Sequence, residues 1–182
     1  MQTFAVYVDN KPGVLNRVAS LFRRRAFNIE SLTVGHTEVP GVSRMTIVVD
    51  TDERGARLVE ANLYKLIPVR RVDNITRVPT IGRDLAMIKV AATGDARTQV
   101  MQLVDVYRSR IVDVSPESLV IETTGTEDKI DSLLEVLRPY GVIEMVRTGR
   151  AEMARGIMQP TPVGSQQPDR RAAPRDAGSG SV

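Results

Sequence analysis

Apolar and polar positions alternate from the start of the chain: Phe4, Val6 and Val8 stand between Thr3, Ala5, Tyr7 and Asp9. A period of two over that length predicts a strand. The period then changes. Leu15, Val18, Ala19 and Phe22 recur at i, i+3, i+4 and i+7, with Asn16, Arg17, Ser20, Arg23 and Arg24 mostly on the other face. That spacing predicts an amphipathic helix lying on a sheet. Arg23, Arg24 and Arg25 fall in its last turn, where cations complement the helix dipole. A second strand is predicted over 28–37, a turn at Glu38-Val39-Pro40-Gly41, and a third strand over 43–50 that closes a hairpin with the second. Val59, Leu63 and Leu66 mark a second helix over about 53–66, ended by Pro68, and a fourth strand follows over 69–78.

The resulting order is β-α-β-β-α-β, the ferredoxin-like arrangement. After Pro79-Thr80-Ile81-Gly82-Arg83, read as a linker, the order repeats without obvious repetition of sequence. A strand is predicted over 85–93. A helix follows, with Val100, Leu103, Val104 and Tyr107 at helical spacing. Strands over 111–114 and 119–124 flank a turn at Ser115-Pro116-Glu117-Ser118. Thr126 is placed to cap a last long helix, with Glu127 and Asp128 in its first turn and Ile130, Leu133, Leu134 and Leu137 as its stripe. Pro139-Tyr140-Gly141 stops it before a strand over 142–147. The fold class is therefore α+β, two ferredoxin-like units with antiparallel sheets, over 1–78 and 84–158. A short helix is expected over 151–158. Residues 159–182 hold almost no large apolar side chain and are expected to form a disordered tail.

Composition narrows the function classes. The chain of 182 residues is 42% hydrophobic, which suits one or two small domains, each with a modest core. Its 25 basic and 22 acidic residues nearly balance, so no nucleic acid or charged membrane is called for. It contains no cysteine and one histidine, His36, which removes thiol chemistry and leaves little for histidine-centred catalysis or metal binding. Met1-Gln2-Thr3-Phe4 lacks a basic n-region and a long apolar core, so no signal peptide is expected, and no apolar run is long enough to span a bilayer. A cytoplasmic protein is expected.

Enzymatic groups are hard to find. His36 has no nucleophile or orienting partner in sequence. Asp50, Asp52 and Glu53 read better as a cap and first-turn acids than as an acid–base pair. RNA-recognition modules share the element order but need aromatics on their central strands. Here the third strand has none, and Phe4 and Tyr7 point to opposite faces of the first. What remains is the loop Asp9-Asn10-Lys11-Pro12-Gly13, between a strand and the start of a helix. A free amino acid needs donors for its carboxylate, and the N–H groups of Gly13, Val14 and Leu15 at the helix start are donors of the right kind. Its ammonium needs oxygens, which Asn10 or Asn28 can offer. A branched side chain needs an apolar wall, and Val14, Leu15 and Ile29 are candidates. Whether the two Asn come from one chain or face each other across a dimer stays open at this level.

The wording of the first half is more specific than its spacing. Asn10-Lys11-Pro12-Gly13-Val14-Leu15-Asn16-Arg17-Val18-Ala19, then Asn28-Ile29-Glu30-Ser31-Leu32-Thr33-Val34 and Ser43-Arg44-Met45-Thr46-Ile47, resemble the amino-terminal ACT domain of acetohydroxyacid (acetolactate) synthase small regulatory subunits. Ile111-Val112-Asp113-Val114-Ser115-Pro116, Arg147-Thr148-Gly149 and Ala154-Arg155-Gly156 extend the resemblance into the second half. It implies an effector-binding ACT domain over 1–78 and a non-catalytic dimer that binds the catalytic subunit, activates it and confers feedback inhibition by valine or another branched-chain amino acid. It further implies that thiamine diphosphate, magnesium and FAD belong to the catalytic subunit, with no cofactor in this chain. By motif, the effector contacts carried over are Asn10, Gly13, Val14, Leu15, Asn28 and Ile29, with Asn28 facing the partner's Gly13 loop. Ala26 departs from the family, which commonly has Gly there. The competing reading is a free-standing amino-acid sensor for another enzyme or a transcription factor, distinguished by whether a thiamine-dependent partner binds.

Overall fold

The computed structural model describes residues 1–156. The expected tail, 159–182, lies outside them. The first half runs β1 (Gln2–Asp9), α1 (Val14–Arg24), β2 (Ile29–His36), β3 (Val42–Val49), α2 (Glu53–Leu63) and β4 (Val69–Asn74). The second runs β5 (Thr80–Ala91), α3 (Gly94–Val106), β6 (Arg110–Val114), β7 (Ser118–Gly125), α4 (Glu127–Leu137) and β8 (Val142–Arg147), then β9 (Ala151–Ala154). Both halves are thus β-α-β-β-α-β, and every strand pair is antiparallel. The sheet orders are β2-β3-β1-β4 and β6-β7-β5-β8, so the first strand of each half lies inside its sheet.

Each sheet buries one face under its two helices. Phe4, Val6, Val8, Met45, Ile47 and Val72 meet Val18, Phe22, Val59 and Leu63 in the first core. Ile88, Val90 and Ile121 meet Val100, Val104, Leu133 and Leu137 in the second. The stripe on α1 is rotated from the one expected. Val14, Val18, Leu21 and Phe22 are its buried residues, while Leu15 is 45% exposed. At about 100° per residue the buried stripe runs from Leu21 to Phe22 through Val14 and Val18, and Leu15 falls about 20° beyond Phe22, on its margin.

Four other expectations are corrected. The stretch 79–83 is not a linker: Thr80–Ala91 is one strand of 12 residues. Its first four pair with β9, Thr80 opposite Ala154 and Arg83 opposite Ala151, and Asp84 onward pairs with β7. The stretch expected as a helix after 150 forms β9, because that segment completes this ribbon. The second helix stops at Leu63 and the fourth strand at Asn74, each short of its expected end. The ribbon matters for packing. Thr3, Ala5, Thr46 and Val48, on the face of the first sheet away from its helices, are buried too. The Arg44 guanidinium on that face donates to the Glu152 carbonyl of β9.

Helix α1 ends in a Schellman turn. Phe27 N donates to Phe22 O at 3.1 Å and Ala26 N to Arg23 O at 3.2 Å. Ala26 is left-handed, with φ 54°. A left-handed backbone costs an L-residue roughly 1–2 kcal/mol, partly offset by the smaller entropy loss of Ala compared with Gly. Ala26→Gly is therefore expected to stabilise the chain by about 0.5–1 kcal/mol, read as a rise in Tm by thermal unfolding. An unchanged or lower Tm would mean that the turn carries no strain.

Candidate functional site

The loop between β1 and α1 is fixed from both sides. Asp9 N donates to Pro68 O at 2.8 Å, and Asn10 N donates to Gly41 O at 2.9 Å. The Asn10 amide nitrogen lies 3.4 Å from His36 Nδ1, at the end of β2. Gly13 caps the helix with φ 80°, and a Cβ built there would meet nothing within 4 Å. Helices α2 and α4 show the contrast, while α3 lacks a side-chain cap but carries Asp95 in its first turn. Asp52 Oδ1 accepts from Gly55 N at 2.7 Å to cap α2, and Thr126 Oγ1 accepts from Lys129 N at 3.4 Å to cap α4. Helix α1 has neither a side-chain cap nor an acid in its first turn. Its positive end faces open space beside an exposed amide, and that arrangement suits a carboxylate.

Asp9 anchors this loop through charge. Arg70 Nε donates to Asp9 Oδ1 at 2.6 Å, and Lys11 Nζ reaches Oδ2 at 3.2 Å. The Arg70 hydrogen bond, aided by Lys11, holds the Asp9 carboxyl below the usual carboxylate value against the opposing effect of burial. A carboxyl lowered on folding stabilises the fold above its unfolded pKa, and that contribution disappears as pH falls through the folded one. Stability is therefore expected to drop below about pH 4 by a component worth roughly 0.5–1 kcal/mol, typical of a partly exposed pair. Asp9→Asn should remove that component from denaturation curves at pH 3 and pH 7. An identical pH difference in both proteins would contradict it.

The structure splits the expected site residues into two groups. Asn10, Gly13, Val14 and Leu15 lie at one end of the first sheet, and Asn28 and Ile29 at the other. The register shows this directly. Asp9 pairs with Val42 and His36 with Ser43, whereas Gln2 and Ile29 both pair with Val49. Seven residues of strand, about 23 Å, separate the groups within one chain. Asn28 is exposed and its amide nitrogen donates to Glu30 Oε1. Ile29 packs partly on the first core. Val14 does not supply an apolar wall, because its side chain is buried in that core. Leu15 is free to do so. The strand that carries Asn28 at its entrance, β2, is an edge strand whose ladder partner among the described residues is β3, so its outer N–H and C=O groups face outward.

Sequence spacing did not reveal the polar links between the halves. Arg150 N donates to Ser31 Oγ at 3.2 Å, and Thr33 Oγ1 donates to Arg150 O at 3.1 Å. The ion pair of Arg147 with Asp84, with Nε 2.8 Å from Oδ2, was missed as well, since its partners lie 63 positions apart. Tyr7 is flanked by the Arg71 and Arg44 guanidinium groups, 4.8 and 5.8 Å from its ring centroid. Among the described residues no group of three or more His, Asp or Glu side chains is placed to hold a metal ion, and no helix is long and apolar enough to cross a membrane.

Comparison with known proteins follows the two halves. The family model for the small-subunit-like ACT domain of AHAS matches residues 4–71, and that for the small subunit of acetolactate synthase matches residues 83–156. A probable acetolactate synthase small subunit of Archaeoglobus fulgidus is 50% identical over 154 residues, 85% of this chain and 96% of that protein. The acetolactate synthase small subunit of Bacillus subtilis is 44% identical over 153 residues, 84% of this chain and 89% of that protein. The crystal structure of the acetolactate synthase small subunit from Thermotoga maritima superposes with a TM-score of 0.82 at 40% identity, covering 86% of this chain and 98% of that one.

Proposed function

This chain belongs to the family of acetolactate synthase small subunits, and from that premise we propose that it is a non-catalytic regulatory subunit. It binds the acetohydroxyacid synthase catalytic subunit, raises its activity and imposes feedback inhibition by valine or another branched-chain amino acid. Thiamine diphosphate, magnesium and FAD stay with the catalytic partner. The observation that carries the reading is the separation of the two residue groups along β2. No ligand the size of an amino acid spans about 23 Å, so one chain cannot complete the site. A two-fold axis at the exposed β2 edge completes it twice. Antiparallel apposition of two β2 strands brings the Asn28 end of each beside the Asn10–Gly13 end of the other.

In that homodimer the effector's carboxylate takes the N–H groups at the uncapped start of α1, with Gly13 leaving room for it. Its ammonium meets the amide oxygens of Asn10 and of Asn28 from the other copy. Leu15 and Ile29 form the apolar wall. Occupancy changes the catalytic subunit's activity only if the ligand binds two states of the dimer with different strength.

Asn28→Ala tests the reading. Removing one charge-assisted hydrogen bond is expected to weaken valine binding by about 10–100-fold, because such bonds are worth roughly 1.5–3 kcal/mol. Stimulation of the catalytic subunit should stay near that of the unmodified chain. Calorimetry with L-valine and an acetolactate assay of the reconstituted complex read the two separately. Unchanged valine affinity would remove Asn28 from the site. Failure of the unmodified chain to stimulate a catalytic subunit would favour the free-standing sensor.

A further inference from the structure

We propose that Ser31 and Thr33 are positioning residues that transmit effector occupancy from β2 to the second half of the chain by clamping the main chain of Arg150. The proposal rests on the effector reading above and adds its route.

Both polar groups of the Arg150 backbone are satisfied by side chains from the other half. Its N–H donates to Ser31 Oγ at 3.2 Å and its carbonyl accepts from Thr33 Oγ1 at 3.1 Å. Ser31 and Thr33 are two apart on one strand, so both hydroxyls point to the same face. The approach is close because residue 149 is glycine. With φ 80°, a Cβ at Gly149 would stand 2.9 Å from Ser31 Oγ and 3.2 Å from Thr33 Oγ1. The connection between β8 and β9 therefore follows β2. Beyond the clamp, Arg150 Nη2 lies 2.7 Å from Glu127 Oε2 in the first turn of α4. Arg147 pairs with Asp84 on β5 and Asp131 on α4. A shift of residues 147–150 is thus passed to α4 and to the centre of the second sheet.

The input end of this route is on the same strand. Asn28 is bonded to Glu30, and Glu30 sits where the β2–β3 register shifts, between Ile29 and Ser31. A β-bulge interrupts the ladder and bends its strand, so the pairing is least regular just ahead of Ser31. Glu30 also lines a cleft of about 370 Å³ with Ser31, Glu127, Arg147 and Arg150. An effector whose ammonium takes the Asn28 amide oxygen also attracts the Glu30 carboxylate, which the amide nitrogen of the same Asn holds nearby. Glu30 then shifts toward the ligand and away from the cleft it shares with Arg150, pulling on the strand just ahead of Ser31. This provides the differential interaction between ligand-free and ligand-bound states that linkage requires.

The experiment uses the full chain and its complex with the catalytic subunit. Ser31→Ala/Thr33→Val removes both hydroxyls, and Ser31→Thr/Thr33→Ser keeps them. L-valine binding is read by calorimetry and inhibition by acetolactate formation. The hydroxyl-free variant is expected to bind valine within about threefold of the unmodified chain while the coupling of binding to inhibition falls by about tenfold or more. The hydroxyl-retaining variant is expected to restore inhibition, which a loss of mere packing would not allow. Undiminished inhibition in the hydroxyl-free variant overturns the clamp, and so does loss of valine binding in it. If the unmodified chain binds no branched-chain amino acid, alone or in the complex, the effector reading itself fails and the clamp with it.

Discussion

Gly13→Asp is expected to abolish valine inhibition while leaving the fold and stimulation of the catalytic subunit in place. The new carboxylate would stand at the start of α1, where the proposed function puts the effector's carboxylate, and would take the same helix-dipole stabilisation. Two like charges sharing one site repel, and the side chain would also satisfy the N–H groups that the ligand needs. Together these effects should lower affinity by at least about 100-fold, or about 2.7 kcal/mol. The protein itself should tolerate the change. A Cβ at Gly13 has open space around it, and Asp is one of the few residues that adopt φ near 80° at modest cost. Inhibition surviving at ordinary valine concentrations would move the carboxylate site away from this loop.

Arg147→Met is expected to be the most destabilising of the substitutions considered. Asp84 is 5% exposed, and its carboxylate lies 2.8 Å from Arg147 Nε. Arg147 Nη2 is also close, at 2.6 Å, but makes no well-directed hydrogen bond. Breaking a buried pair by removing one partner strands the other charge and costs about 3–5 kcal/mol. The Arg147 side chain keeps 21% of its surface, so water moderates the loss toward the lower figure. Near 3 kcal/mol, Tm should fall by roughly 6–12 °C in a chain of this size. Asp84→Ala/Arg147→Met, which removes both charges, should recover much of that. A fall of less than about 2 °C for Arg147→Met would show the pair to be solvated rather than structural.

Much of this molecule can be read along its sequence. The period of two at Phe4, Val6 and Val8, the helical spacing at Ile130, Leu133 and Leu137, and the cap at Thr126 each act over a few residues. The structure has them as read. What failed was long-range. Residues 80–83 carry Gly and Arg and looked like a linker, yet they are strand because β9 arrives from 68 to 74 positions downstream to pair with them. That pairing also turned an expected helix after 150 into a strand. Ser31 and Thr33 looked like ordinary polar strand positions because their partner, Arg150, is 119 and 117 residues away. Leu15 missed the stripe by its angle on the helix, and the exposure that follows leaves it free for a ligand or a second copy. Ala26 was legible as a departure, and its positive φ follows from the turn it must complete.

The central claim is that each effector site takes its Gly13 loop from one copy and its Asn28 from the other. The most direct test mixes Gly13→Asp and Asn28→Ala chains in equal amounts, lets the dimers exchange, and titrates with L-valine by calorimetry. Neither variant alone has an intact site. A mixed dimer has one site carrying both changes and one carrying neither, so the mixture should regain about a quarter of the unmodified capacity at native affinity, as two-fold symmetry requires. No binding in the mixture, with exchange verified, would mean that both residues act within one chain, and the account of a shared site would be wrong.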